Sequence, residues 1–343
     1  MRRRGCVLRP LQILVTTVVA GALIAVAPAA ASATTCQSSG AQPPNVGTGD
    51  NVLIGVAAPS VCNAWAVGYY FSYTSYTLQT LIERWNGTAW NHVASPNVRA
   101  TNDQLLGVAA TSSSNAWAVG FYYAVPLEEQ TLIERWNGTS WNRVASPNPG
   151  GSSNSNELKG VAATSSTNAW AVGYYYNGTG EQTLILHWDG TSWTRVASPN
   201  VGTISNELTG VAATSSTNAW AVGHYFNGTA QQTLILHWNG TAWTRVASPN
   251  PGGSSNLNEL SGVAATSSSN AWAVGDYYNG TTFRTLIVHW NGTGWKRQPS
   301  PNVGSFANSL FGVSASSSTN AWAVGDYYNG SVNRTLAVHC CWS

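Results

Sequence analysis

The chain has 343 residues, only 8% of them charged, and a formal net charge of +2 at pH 7. Four of its 15 basic residues fall within the first nine positions, and beyond residue 33 the balance is 11 basic against 13 acidic. No basic cluster remains that could neutralise a run of phosphates, which argues against nucleic acid as a partner.

The first element is not part of the fold. "MRRRGCVLR" is a basic start, "LQILVTTVVAGALIAVA" an apolar run, and "ASA" (Ala31 to Ala33) a small-residue cleavage site. Together they predict a secretory signal over 1–33, removed after Ala33. No later segment is apolar enough to span a bilayer, so the mature chain, 34–343, is expected to be secreted, without a membrane association.

The rest repeats. "NAWAVG" places Trp65, Trp117, Trp170, Trp220, Trp272 and Trp322 at steps of 52, 53, 50, 52 and 50 residues. Each unit holds four short runs, illustrated by "ELTGVAATSS", "NAWAVGHYF", "QTLILHW" and "TAWTRVAS". They are rich in β-branched and aromatic residues and bounded by Asn-Gly, Ser/Thr or Pro-Asn turns, the pattern of strands. Four antiparallel strands per unit, six times over, predict an all-β fold, a six-bladed β-propeller forming a single domain. A two-residue type I′ turn at Asn-Gly or Asp189-Gly190 would place Trp188 opposite Thr191 and Leu186 opposite Trp193. The tryptophans are expected to pack blade on blade rather than to stack on sugar.

The sixth unit stops after "TLAVHCCWS", one strand short. "QPPNVGTGDNVLIGVAA" (Gln42 to Ala58) matches "SPNVGTISNELTGVAA" (Ser198 to Ala213), so the residues before Pro44 stand where a fourth strand belongs. An N-terminal strand completing the last blade would close the ring and remove an open edge. Cys36 would then lie beside Cys340 or Cys341, with Cys62 left for the other; a vicinal Cys340–Cys341 bond is the alternative.

The period, the strand ending "AWAVG" and the Trp of the fourth strand resemble kelch-type, galactose-oxidase-like propellers of secreted bacterial repeat proteins. The resemblance covers residues 35 to 342. The chain departs from that pattern in having one glycine where kelch repeats carry two. "WNGTAW" resembles the Asp-box of sialidase-like propellers at a different spacing. The resemblance implies either an extracellular binding module or copper or glycoside chemistry, yet no residue matches the copper-ligand constellation.

His187, His237, His289 and His339 share one third-strand position, too far apart between blades to share a metal. Arg84 and Arg135 hold that position in the first two units. Arg143, Arg195, Arg245 and Arg297 follow the fourth-strand Trp and predict stacked or solvated surface roles. No metal or other cofactor is expected. The eight N-G-[ST] strings match the glycosylation sequon and also sit where turns belong.

The copies differ in the second-to-third-strand loop, in the link to the next blade, and at the position after "AVG": Tyr69, Phe121, Tyr174, His224, Asp276 and Asp326. In a propeller these lie toward one face, the place for a ligand. The expected function is therefore a secreted, monomeric, non-enzymatic propeller that recognises an extracellular glycan or protein, cell-wall carbohydrate first. A galactose-oxidase-like or glycoside-processing enzyme, with Asp276 and Asp326 as its carboxylates, and an interaction scaffold are the alternatives.

Overall fold

The computed structural model describes residues 42–98, 102–124 and 128–340. These residues fold as antiparallel strands, with no helix among them. The strands form six sheets in chain order, each a simple meander: 51–92, 103–143, 156–195, 206–246, 258–298 and 308–340. The architecture is an all-β six-bladed propeller of four-stranded antiparallel blades. In blade six the described residues supply three strands. The leader 1–33, residues 35–41 of the segment proposed as its fourth strand (Cys36 among them) and Cys341 lie outside the described residues.

Blade three shows how sequence becomes blade. Its first strand, Asn156–Ser165, runs beside the first strands of its neighbours, where the blades converge. A Cβ on Gly160 would sit 3.3 Å from Gly210 Cα in blade four, and Gly107 and Gly210 meet their own neighbours in the same way. Glycine is what lets adjacent inner strands approach so closely. The second strand, Asn168–Tyr176, is buried along "NAWAVG", because neighbouring blades cover both its faces. The third, Glu181–Trp188, carries the apolar "TLIL", and the fourth, Trp193–Arg195, is short and outermost.

Blades lock through tryptophan. Four of the six central tryptophans sit against the Trp pair of the following blade: Trp65 on Trp136 and Trp141, Trp117 on Trp188 and Trp193, Trp170 on Trp238 and Trp243, Trp220 on Trp290 and Trp295. The expected blade-to-blade role of these rings is what the structure shows.

The turn between third and fourth strands differs from the expectation. Trp188 pairs with Trp193, and Leu186 with Arg195. The loop has four residues, and only its glycine has positive φ, +104° at Gly190. Asp189 instead uses its carboxylate, which accepts from the backbone N–H of Thr191 and of Ser192 at 2.8 and 3.0 Å. A side-chain-capped turn replaces the type I′ turn, and the longer loop moves the register so that the two rings face directly.

A second clamp ties each third strand to the link leaving its blade. The backbone N–H of Thr80, Thr131, Thr183, Thr233 and Thr285 donates to Asn97, Asn148, Asn200, Asn250 and Asn302 at 2.7–2.9 Å. Blade six differs. Thr335 is exposed, Trp322 is 51% exposed where Trp170 is fully buried, and Val324 is 53% exposed. On blade one, Leu53, Ile54 and Val56 are likewise exposed.

Candidate functional site

The variable loops do share one end of the molecule. Gln130, at the start of a third strand, donates to the carbonyls of Gly151 and Asn154 in the link to the next blade. Glu181 N–H donates to Ile204 O, and the Asn227 amide to Ser254 O. The position after "AVG" lies toward this end, opposite the second residue of the first strand. The register pairs Glu157 with Tyr174, Glu207 with His224, Glu259 with Asp276, and Ser309 with Asp326.

Those pairings gather the predicted residues unequally. Tyr174, His224 and Asp276 join one polar cluster where blades three to five converge. Asp326 stands beside it, close enough to raise Asp276. Phe121 is buried and packs edge-on against Tyr123, and Tyr69 lies on blade one against Val52, outside the cluster.

The cluster also contains residues the sequence reading passed over. Lys159 crosses from blade three to blade four, its Nζ 2.5 Å from Glu207 Oε1 and 5.4 Å from the centre of the Tyr174 ring. Tyr174 Oη donates to Glu129 Oε2 of blade two at 3.2 Å. His224 Nε2 is 4.0 Å from Glu207 Oε2. The signal that would have found these carboxylates is the first-strand position Val52, Gln104, Glu157, Glu207, Glu259, Ser309, which varies as the position after "AVG" does.

Crowding sets the protonation. Burial pushes Glu157 up to about 7, against the pull of Lys159. Burial and then the neighbouring Asp276 push Glu259 up to about 7. Asp276 is held at about 6, raised by burial although Ser309 hydrogen-bonds it. Burial lowers His224, which favours its neutral form. Burial alone would lower Lys159, but Glu207 and Glu157 outweigh it and hold its ammonium above the ordinary value. Tyr174 is raised by burial and by Glu157 and Glu129.

Beside the cluster, a pocket of about 260 Å³ opens between blades two and three. Tyr174, Tyr176, Glu128, Glu181 and the link residues Ser153 to Ser155 line it. Glu128 accepts from Ser155 Oγ at 3.2 Å, and Glu181 from Ser205 Oγ at 2.7 Å. The lining offers aromatic faces, carboxylates and hydroxyls together.

The remaining candidates are structural. Nε2 of His187, His237, His289 and His339 lies 2.6–2.8 Å from Asn168, Asn218, Asn270 and Asn320, and each ring lies against its blade's central Trp. Arg84 and Arg135 take the same place over Trp65 and Trp117. Arg143, Arg195, Arg245 and Arg297 stack on Tyr122, Tyr175, Tyr225 and Tyr277. Cys62 lies in the first turn of blade one, and Cys340 pairs with Ala321 and is buried.

No family model matches the chain, and no curated protein matches it. Solved propellers do. A Trypanosoma rangeli sialidase in complex with 2,3-difluorosialic acid is similar with a TM-score of 0.52 and 11% identity, over 84% of this chain and 54% of that one. An ulvan lyase of polysaccharide lyase family 25 gives 0.51 and 8%, over 82% and 76%. YCF48 bound to a D1 peptide gives 0.47 and 13%, over 84% and 79%. At these identities the likeness is one of fold.

Proposed function

We propose that this is an exported, non-enzymatic propeller that binds carbohydrate on the face carrying its variable loops. The pocket between blades two and three carries the reading. Its volume suits one or two sugar rings, its tyrosines supply faces for C–H stacking, and Glu128, Glu181 and the Ser/Asn link supply directed hydrogen bonds. The similar sialidase is in complex with 2,3-difluorosialic acid and the similar ulvan lyase is bound to a GlcA–Rha3S saccharide, which supports the reading. A glycan array with the wild type, Tyr176→Ala and Glu181→Gln tests it. The expected result is a saturable glycan signal that both substitutions weaken at least about tenfold, with unchanged melting. No glycan bound at millimolar concentration overturns it. A glycoside-processing enzyme is the second reading, favoured by the raised carboxyl of Glu157, register partner of the pocket residue Tyr174, and by those of Glu259 and Asp276 farther round the ring. Turnover of the bound glycan that Asp276→Asn abolishes would put that reading first.

The proposal includes a closed ring. Asn51 holds the link into blade one by accepting from Val46 N–H at 2.8 Å, as Asn308 holds Val303 in the link into blade six. Asn45 therefore stands where Asn200 stands, at the exit of a fourth strand. With residues 35–42 as that strand on blade six, Asn45 would reach Thr335, and Cys36 would lie beside Cys340 or Cys341.

A further inference from the structure

One lysine of this protein shows what its neighbouring blade lacks. Lys159 leaves the first strand of blade three, lies over Tyr174 and ends 2.5 Å from Glu207 of blade four. Advance the repeat by one blade. Thr209 takes the place of Lys159, His224 that of Tyr174, and Glu259 that of Glu207. The ring and the carboxylate are kept, but the ammonium is not. Thr209 Oγ1 turns to the backbone instead, donating to Leu260 O at 2.7 Å.

Two buried polar side-chain atoms of blades four and five have no hydrogen-bond partner among the described residues. They are Nδ1 of His224, 7% exposed, and Oδ1 of Asp276, 5% exposed. Asp276 is the register partner of Glu259. A primary ammonium has three donors, and Glu259, Asp276 Oδ1 and His224 Nδ1 are three acceptors.

The charge around the site is mostly of the matching sign, with Lys159 of blade three the cation that Glu259 and His224 feel. Glu129, Glu157, Glu181, Glu207 and Glu259 stand near the starts of their strands, at the variable-loop end. Arg284 and Arg334 share that end but lie on third strands, two strands out from the axis. Among the described residues no three His, Cys, Asp or Glu side chains are placed to hold a metal ion. A ligand's ammonium fits the same acceptors without metal geometry.

We infer that the junction of blades four and five binds the primary ammonium of an amino sugar, held by Glu259, Asp276 and His224 as Lys159 is held by Glu207 and Tyr174. The sugar in this statement rests on the carbohydrate reading above. The ammonium rests on the lysine template alone.

Calorimetric titration at pH 7 tests it with three probes: a β-1,4-glucosamine tetramer, its fully N-acetylated counterpart, and 1,5-diaminopentane. The wild type is expected to bind the glucosamine tetramer at least about tenfold more tightly than the acetylated one. Thr209→Lys supplies its own ammonium and is expected to remove that preference while the acetylated tetramer binds as before. Glu259→Gln is expected to do the same, and it decides the matter should Thr209→Lys fail to fold. Equal affinity for both tetramers, unmoved by either substitution, overturns the ammonium site and leaves the carbohydrate reading standing. Binding of the diamine alone, lost in Thr209→Lys, keeps the ammonium site and overturns its assignment to a sugar. No binding of any probe overturns the ammonium site and leaves the carbohydrate reading to the glycan array.

Discussion

Trp170 of blade three meets Trp243 of blade four edge-on, with ring centroids 5.2 Å apart and planes at 89°. Trp220 meets Trp295 at 5.1 Å and 89° in the same way. Each contact is the centre of a blade-to-blade interface, so its loss opens a cavity with blades on either side. Trp220→Ala is expected to cost about 3–5 kcal/mol, read by chemical denaturation. Trp322 makes the sharper comparison, because blade one carries its own ring pair, Trp85 and Trp90, with centroids 5.9 Å apart. If the N-terminal strand closes the ring as proposed, Trp322→Ala costs as much as Trp220→Ala, and a non-reducing digest links Cys36 to the C-terminal cysteines. A cost below about 1 kcal/mol, the range of a surface change, leaves the Trp322 face uncovered in solution.

A buried carboxylate in blade two gives the opposite sign. Glu134 is fully buried, and neither of its oxygens has a hydrogen bond among the described residues. Burial, with Asp103 nearby, holds it well above the ordinary carboxylate range despite Arg143. The same slot holds Leu186 in blade three and Leu236 in blade four, both fully buried. Glu134→Leu is therefore expected to stabilise the fold by about 1–3 kcal/mol, since it removes an unsatisfied polar group from a site shaped for leucine. A lower denaturation midpoint in the variant would show that Arg143 needs this partner more than the core needs an apolar side chain.

Much of this fold could be read from the chain because the repeat exposes its own rules. Six copies of "NAWAVG" and the paired tryptophans give blade number, strand order and the packing role of the rings. The turn departs from its sequence pattern at a particular residue. Asp189 and Gly190 together suggest a turn with two positive φ values, whereas Asp189 keeps negative φ and caps the loop with its carboxylate. The site was half legible for a related reason. The position after "AVG" varies visibly, but Glu157, Glu207 and Glu259 belong to the recurring "NEL" and look like scaffold. Only the strand register and the convergence of first strands bring them to Tyr174, His224 and Asp276. Lys159 has no sequence signal at all, since its reach to Glu207 crosses between blades.

The carbohydrate pocket and the axial cluster separate by mutation. Tyr176 lines the pocket and is 38% exposed, and it belongs to no hydrophobic core cluster. Tyr176→Ala is expected to leave the melting temperature within about 1–2 °C of wild type while glycan binding falls. A large loss of stability would mean that the ring supports the fold rather than a ligand.

Glu259 sets the pH behaviour of the cluster. Burial and Asp276 raise its carboxyl from 4.5 to about 7 in the fold. A group raised on folding contributes stability that is complete below its unfolded value, near pH 4.5, and is lost as pH rises through 7. The folded chain holds this proton where the unfolded chain has released it. Above pH 7 the carboxylate is charged in both states, and the fold bears the cost of burying it. Glu259→Gln, neutral throughout, is expected to melt about 2–4 °C higher than wild type at pH 8 and at the same temperature near pH 4.5. His224, lowered by burial, works in the opposite direction as pH falls below 6.5, but it is present in both proteins and drops out of the difference. A gain that persists unchanged at pH 4.5 would place the effect in packing rather than in the proton.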